Sequence, residues 1–151
     1  EPSVLQYAIK QGCNIVIPKV GDVDSKVDDF AAALKDKEYK THLILVRLDR
    51  RKATVRACKR YLKTKRYISS PLIFDIYSND PTITFYDLQR TSKNFESFTM
   101  VSSDVDFGEP PELLQKSANT PAGFDKLFKV CSKGDEKLEC EQKEECCSKT
   151  Y

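Results

Sequence analysis

The sequence predicts a mainly β protein, an antiparallel barrel opened by one short N-terminal helix. Three observations carry that expectation. Short apolar runs recur at 42–48, 72–77, 82–88 and 95–102, and β-branched or aromatic residues enrich them. Two of these runs flank Ser78-Asn79-Asp80-Pro81, a composition that favours a turn. Six cysteines, Cys13, Cys58, Cys131, Cys140, Cys146 and Cys147, point to a scaffold stapled by disulfides. An α/β sandwich is the alternative, and residues 52–66 decide between the two.

The N-terminal arm, 1–24, has one apolar run, Asn14-Ile15-Val16-Ile17, stopped by Pro18. A helix is expected at 25–34: Ser25 suits an N-cap, and Val27, Phe30, Ala31 and Leu34 follow helical spacing. Residues 42–48 read as a strand that is apolar on both faces. Residues 72–77 and 82–88 read as the two arms of a β-hairpin, and 95–102 as a fourth strand. Pro110-Pro111 and Pro121 bracket a short helix at 112–116, and 124–130 suit a further strand. At 52–66 the pattern is double. Val55, Cys58 and Leu62 have helical spacing, whereas Val55, Ala57, Lys59 and Tyr61 alternate as an edge strand with outward lysine would.

The chain's 151 residues suit one domain, 1–151. Its net charge of +2 is too small to imply nucleic acid or an acidic membrane. No run is long and apolar enough for a spanning helix. The chain opens Glu1-Pro2-Ser3 without a Met and so reads as mature or trimmed, and the lack of a visible signal peptide says nothing against secretion. The adjacent Cys146-Cys147 pair suits bonds to two different parts of the chain, because a ring between neighbours strains the peptide. With one histidine and no C-x-x-C, neither a Cys2His2 metal site nor thioredoxin-type redox chemistry is expected.

Between Arg47 and Arg66 stand ten lysines or arginines and one acid, Asp49, with Tyr61 among them and Tyr67 next to them. Such a run suits phosphate, a heparin-like polymer or an acidic ligand, although a solvated face is its commoner use. Catalysis leaves little trace. His42 opens an apolar strand with no partner motif beside it, and no G-x-S-x-G, P-loop or G-x-G-x-x-G occurs among the five glycines. No enzyme and no cofactor is expected. Phe74, Tyr77, Phe85, Tyr86, Phe95 and Phe98 suit either an ordinary core or a barrel interior that holds an apolar ligand.

Several segments carry a family resemblance. Val27-Asp28-Asp29-Phe30-Ala31-Ala32 is similar to an opening helix that often reads D-A-W or D-A-F. Ile44-Leu45-Val46-Arg47 is similar to a first strand, Arg56-Ala57-Cys58 to the start of a second, and 71–76 with 82–88 to the next hairpin. Cys131, Cys140-Glu141 and Cys146-Cys147 complete a late cysteine pattern. Together they resemble the salivary lipocalins of ticks, secreted barrels that scavenge host amines or lipid mediators or bind complement.

The resemblance implies a monomeric, immune-evading binder of a host mediator or a host immune protein, without nucleic acid or membrane as partner. Under it, Leu43, Leu45, Leu72, Phe74, Ile76, Phe85 and Phe98 line the barrel interior, with Asp75 facing water. Arg47 or Arg56 meets a ligand carboxylate. It also implies that Cys13 and Cys131 reach the Cys146-Cys147 pair and that Cys58 joins Cys140. The alternative function is a protein-binding effector or inhibitor that uses the basic 47–66 face on a disulfide scaffold.

Overall fold

The structure, a computed structural model, describes residues 3–106 and 108–120. The chain divides into two compact units, and the described part of the first ends at Lys19. It contains helix α1, Val4–Lys10, in the arm where the sequence reading placed none. Ser3 Oγ accepts from the Gln6 amide at 3.2 Å, and the Gln6 side chain accepts from the Ser3 amide at 2.8 Å. This capping box satisfies two amides that lack helical partners and starts the helix.

The second unit, Val20–Lys129, holds the remaining elements. Helix α2, Asp24–Lys35, covers the expected 25–34; Asp24 rather than Ser25 opens its first turn. Strand β1, His42–Arg47, follows as expected. Residues 50–64 are a helix, α3 (Arg50–Thr64), so the double pattern at 52–66 resolves on the helical side. Asp49 explains the start: its carboxylate accepts from the Arg51 and Lys52 amides at 3.0 and 3.2 Å. Lys65, left-handed at φ 59, ends it.

The expected hairpin is absent. A π-helical turn, Leu72–Ile76, runs directly into helix α4, Tyr77–Thr91, straight through Ser78-Asn79-Asp80-Pro81. Pro81 lies inside this continuous helical run, so its missing amide costs one helical bond. Burial shows why a helix wins. Thr84, Phe85 and Leu88 are all buried, a helical i, i+1, i+4 face, whereas a strand would send Thr84 and Phe85 to opposite sides.

Strand β2, Ser97–Ser102, lies within the expected 95–102. Strand β3, Glu112–Lys116, stands where a helix was expected. It pairs antiparallel with β2, and the register shifts between Met100 and Val101. Backbone pairing along an exposed edge, with Leu113 and Leu114 both half exposed, sets its conformation. The strand expected at 124–130 lies outside the described residues.

The sheet has the order β1-β2-β3, with β1 and β2 parallel. Parallel neighbours need a long crossover, and α3, the π-helical turn and α4 supply it. The fold is thus a mixed helix-and-sheet unit on an open three-stranded sheet, and the mainly β barrel is overturned. Leu45, Phe85, Leu88, Phe98 and Met100 form the core between α4 and the sheet, with Val27, Leu43 and Phe95 packed against it. Phe85 meets Phe98 edge to face at 5.8 Å, and Phe95 lies 5.5 Å from Phe98.

Candidate functional site

In open α/β sheets ligands sit beyond the carboxyl ends of parallel strands, where the loops diverge. This chain has a cleft of about 380 Å³ at that place, lined by Arg47, Leu48, Asp49, Arg50, Asn79, Thr82 and Ile83. Arg47 ends β1, Leu48-Asp49 is the connection to α3, and Arg50 is the first residue of that helix. The other wall comes from the first two turns of α4. The guanidinium carbon of Arg50 lies 4.5 Å from the centroid of the Phe74 ring, which limits its orientation without neutralising it. Neither Arg47 nor Arg50 forms an ion pair among the described residues. Two cations face one carboxylate, Asp49, and that carboxylate is engaged in capping α3.

The floor beside the cleft is tied down. The Ser103 amide donates to the Arg47 carbonyl at 2.9 Å, joining the ends of β1 and β2. Arg56 donates to the carbonyls of Ser103 and Val105 at 2.8 and 3.1 Å, and Lys52 pairs with Asp104 at 2.6 Å. These contacts fasten the loop after β2 to α3. A second hollow, of about 240 Å³, carries the opposite charge: Asp22, Asp24, Asp80 and Asp87 line it with Ile83 and Thr84. Among the described residues no three metal-ligating side chains converge on an ion.

The expected interior set is divided. Leu45, Phe85 and Phe98 do meet, with Leu43 beside them, but they fill the core of an open-sheet fold. Leu72, Phe74 and Ile76 lie on the π-helical turn, where Ile73 is the buried member and Ile76 is exposed. Of Asp75 the structure describes only the backbone, as part of that turn. Arg47 lines the cleft, whereas Arg56 is occupied by backbone carbonyls. Asn79, Thr82 and Asp49 were missed. The sequence places the first two in a turn and a strand, and it shows Asp49 as the single acid of the basic run. An Asp before an apolar-and-basic helical run is an N-cap signal, and that cue was present.

Cys58 is an exposed thiol without a disulfide. Its expected partner, Cys140, and also Cys131, Cys146 and Cys147, lie outside the described residues. Cys13 follows α1, half-buried, its amide bonded to the Ala8 carbonyl. His42 stands at the other end of the sheet from the cleft. Its Nδ1 lies 2.7 Å from Ser97 Oγ, and burial pushes its pKa down, partly offset by Glu96. Ser97 is 1% exposed, so this Ser–His contact is closed to a substrate.

The open sheet with a parallel strand pair and its helical crossover defines an α/β protein with a cleft at the carboxyl end of β1. Residues 2–91 match the family model described as Zeta toxin, and the chain belongs to that family. Every residue lining the cleft falls within the matched segment. No curated protein and no solved structure matches the chain significantly. The lipocalin resemblance is overturned, and with it the barrel and the scavenging of a host mediator. The expectation of no enzyme is overturned as well, since Zeta toxins are a P-loop, kinase-like family of enzymes.

The glycine-rich phosphate loop that such a family implies is not among the residues present. A phosphate-cradling loop needs glycine amides leading from a strand into a helix. Here the β1–α3 connection has no glycine, and the Asp49 carboxylate already takes the first amides of α3. None of the five glycines stands in a G-x-x-x-x-G-K-[S/T] arrangement.

Proposed function

We propose that this chain binds a phosphate-bearing small molecule at the carboxyl end of β1 and supplies the cationic side of a phosphoryl-transfer site. The observation that carries the reading is the placement of Arg47 and Arg50, without ion pairs, in a cleft inside the Zeta toxin segment. A guanidinium matches phosphate oxygens with two parallel donors. Binding therefore runs through side chains rather than through a loop of amides. Asn79 on the facing wall offers a neutral hydrogen bond. Asp49 limits affinity, since its charge opposes that of the ligand.

The test is calorimetric titration of the full chain with inorganic pyrophosphate. A hydrogen bond to a charged group contributes about 1.5–3 kcal/mol, so Arg47→Ala or Arg50→Ala should each weaken binding about tenfold or more. Lys65→Ala, far along α3, should leave it unchanged. Equal losses from all three variants would show a diffuse charge effect and remove the site.

A further inference from the structure

The carboxyl half of α3 and the residues just after it carry side chains that neither the core nor the cleft uses. The helix packs through Ala53, Thr54 and Ala57, which are half-buried, and it buries no residue fully. At 100° per residue Val55 and Leu62 fall on the opposite side, and Cys58 lies on the flank between. Val55 is 52% and Leu62 69% exposed. Beyond the left-handed Lys65 the chain turns back, so that Tyr67, 72% exposed, meets Tyr61 edge to face at 5.8 Å. Tyr61, Leu62 and Tyr67 are thus exposed apolar side chains within one short stretch of chain. Lys59, Arg60, Lys63, Lys65 and Arg66 share that stretch, all exposed and none in an ion pair among the described residues.

Each half of this arrangement alone has an ordinary use. Cations on a solvated helix keep a protein soluble, and scattered exposed apolar residues are common. Their concentration in one short segment is different. A nucleic-acid strand would use the cations and stack on the tyrosines, but it has no use for Val55 and Leu62. An anionic bilayer uses both: headgroups meet the lysines and arginines, and the apolar tips enter the acyl boundary. The chain's small net charge conceals this, because the surplus cations sit in one helix while the acids lie elsewhere. No described helix is long and apolar enough to cross a membrane.

We propose that α3 and the segment through Tyr67 dock on an anionic lipid surface, with Leu62 and Tyr67 inserted and the flanking cations on the headgroups. The docking face is separate from the cleft and does not depend on the phosphate-ligand reading.

The test is flotation of the full chain with vesicles of phosphatidylcholine alone and with about 30% phosphatidylserine. The expected result is at least about tenfold stronger partition onto the anionic vesicles, lost in high salt. Leu62→Ser with Tyr67→Ser adds no charge and touches no core, and it should cut that partition about tenfold or more. Far-UV circular dichroism and the urea unfolding midpoint check that this variant stays folded. Equal partition onto both vesicle types, or none onto either, would overturn the proposal. So would full retention by the double serine variant, or binding to a homopolymeric RNA by a chain that leaves vesicles untouched.

Discussion

Phe85→Ala separates a filled core from a ligand-lining wall. Phe85 is 1% exposed, packs edge to face on Phe98 at 5.8 Å and on Tyr86 at 5.6 Å, and belongs to the cluster with Leu45, Leu88 and Met100. Removing a buried phenylalanine ring costs about 3–5 kcal/mol through lost transfer energy and the cavity left behind. The lost aromatic contacts place this site near the upper end, about 4–5 kcal/mol. A domain of this size is stable by roughly 5–15 kcal/mol, so the variant should sit close to unfolding. Urea denaturation followed by far-UV circular dichroism reads the midpoint shift at constant slope. Ile83→Ala is the internal control. Ile83 is 59% exposed, and its loss should stay within about 0.5 kcal/mol. In a barrel, Phe85 would line an open interior and its truncation would cost little. A Phe85→Ala penalty below about 1 kcal/mol would refute the packed α4–sheet core.

Three other expectations follow from single contacts. Asp49→Ala removes the cap on α3 and should cost about 1 kcal/mol, whereas Asp49→Asn keeps the cap and should bind pyrophosphate more tightly; thermal melts and calorimetry read the two effects separately. Arg56→Ala frees the loop after β2, so amide exchange at 102–106 should accelerate while overall stability drops by about 1 kcal/mol; unchanged exchange there would show that Arg56 does not fasten the loop. Burial lowers the pKa of His42, so the native state binds fewer protons there than the unfolded chain does. The stability contribution is present above the unfolded value of about 6.5 and is lost as pH falls through the depressed folded value. The melting temperature of the natural chain should therefore fall more between pH 7.5 and 5.5 than that of His42→Gln, and parallel curves would exclude the effect.

The elements legible in the sequence are those whose own pattern matches their burial. Val27 and Ala31 mark one face of α2, and the apolar run of β1 sits in the sheet as read. The failure at 72–88 has a physical cause. Thr82-Ile83-Thr84-Phe85-Tyr86 alternates in polarity, yet tertiary packing selects Thr84, Phe85 and Leu88 as a single buried face. Asn, Asp and Pro at 79–81 favour a turn locally, but the packing of α4 on the sheet outweighs that preference and the missing Pro81 amide. At 112–116 the pairing of β3 with β2 decides the conformation, and that is a long-range interaction no short window contains. The candidate site was visible only as charge. Arg47 and the basic run stand out in the sequence, but their use depends on α4 supplying the second wall. A reading that folds 72–88 into a hairpin cannot place Asn79 or Thr82 beside them.

The two cationic regions of α3 act independently because of distance. Arg50 begins the helix and Lys65 ends it. At about 1.5 Å of rise per residue they lie roughly 22 Å apart. Charges are screened over about 10 Å at 0.1 M salt, so a ligand held by Arg47 and Arg50 barely senses Lys63 to Arg66. The helix dipole adds to this division. Its amino end favours an anion, and Asp49 already occupies part of that position, while its carboxyl end is stabilised by the cations clustered there. The carboxyl-end cations therefore fit the fold locally without any ligand, which accounts for their number but not for Leu62 and Tyr67 among them. Two exposed apolar side chains, not the charge, separate a docking face from a solvated helix end, and the double serine variant removes those two and leaves every cation in place.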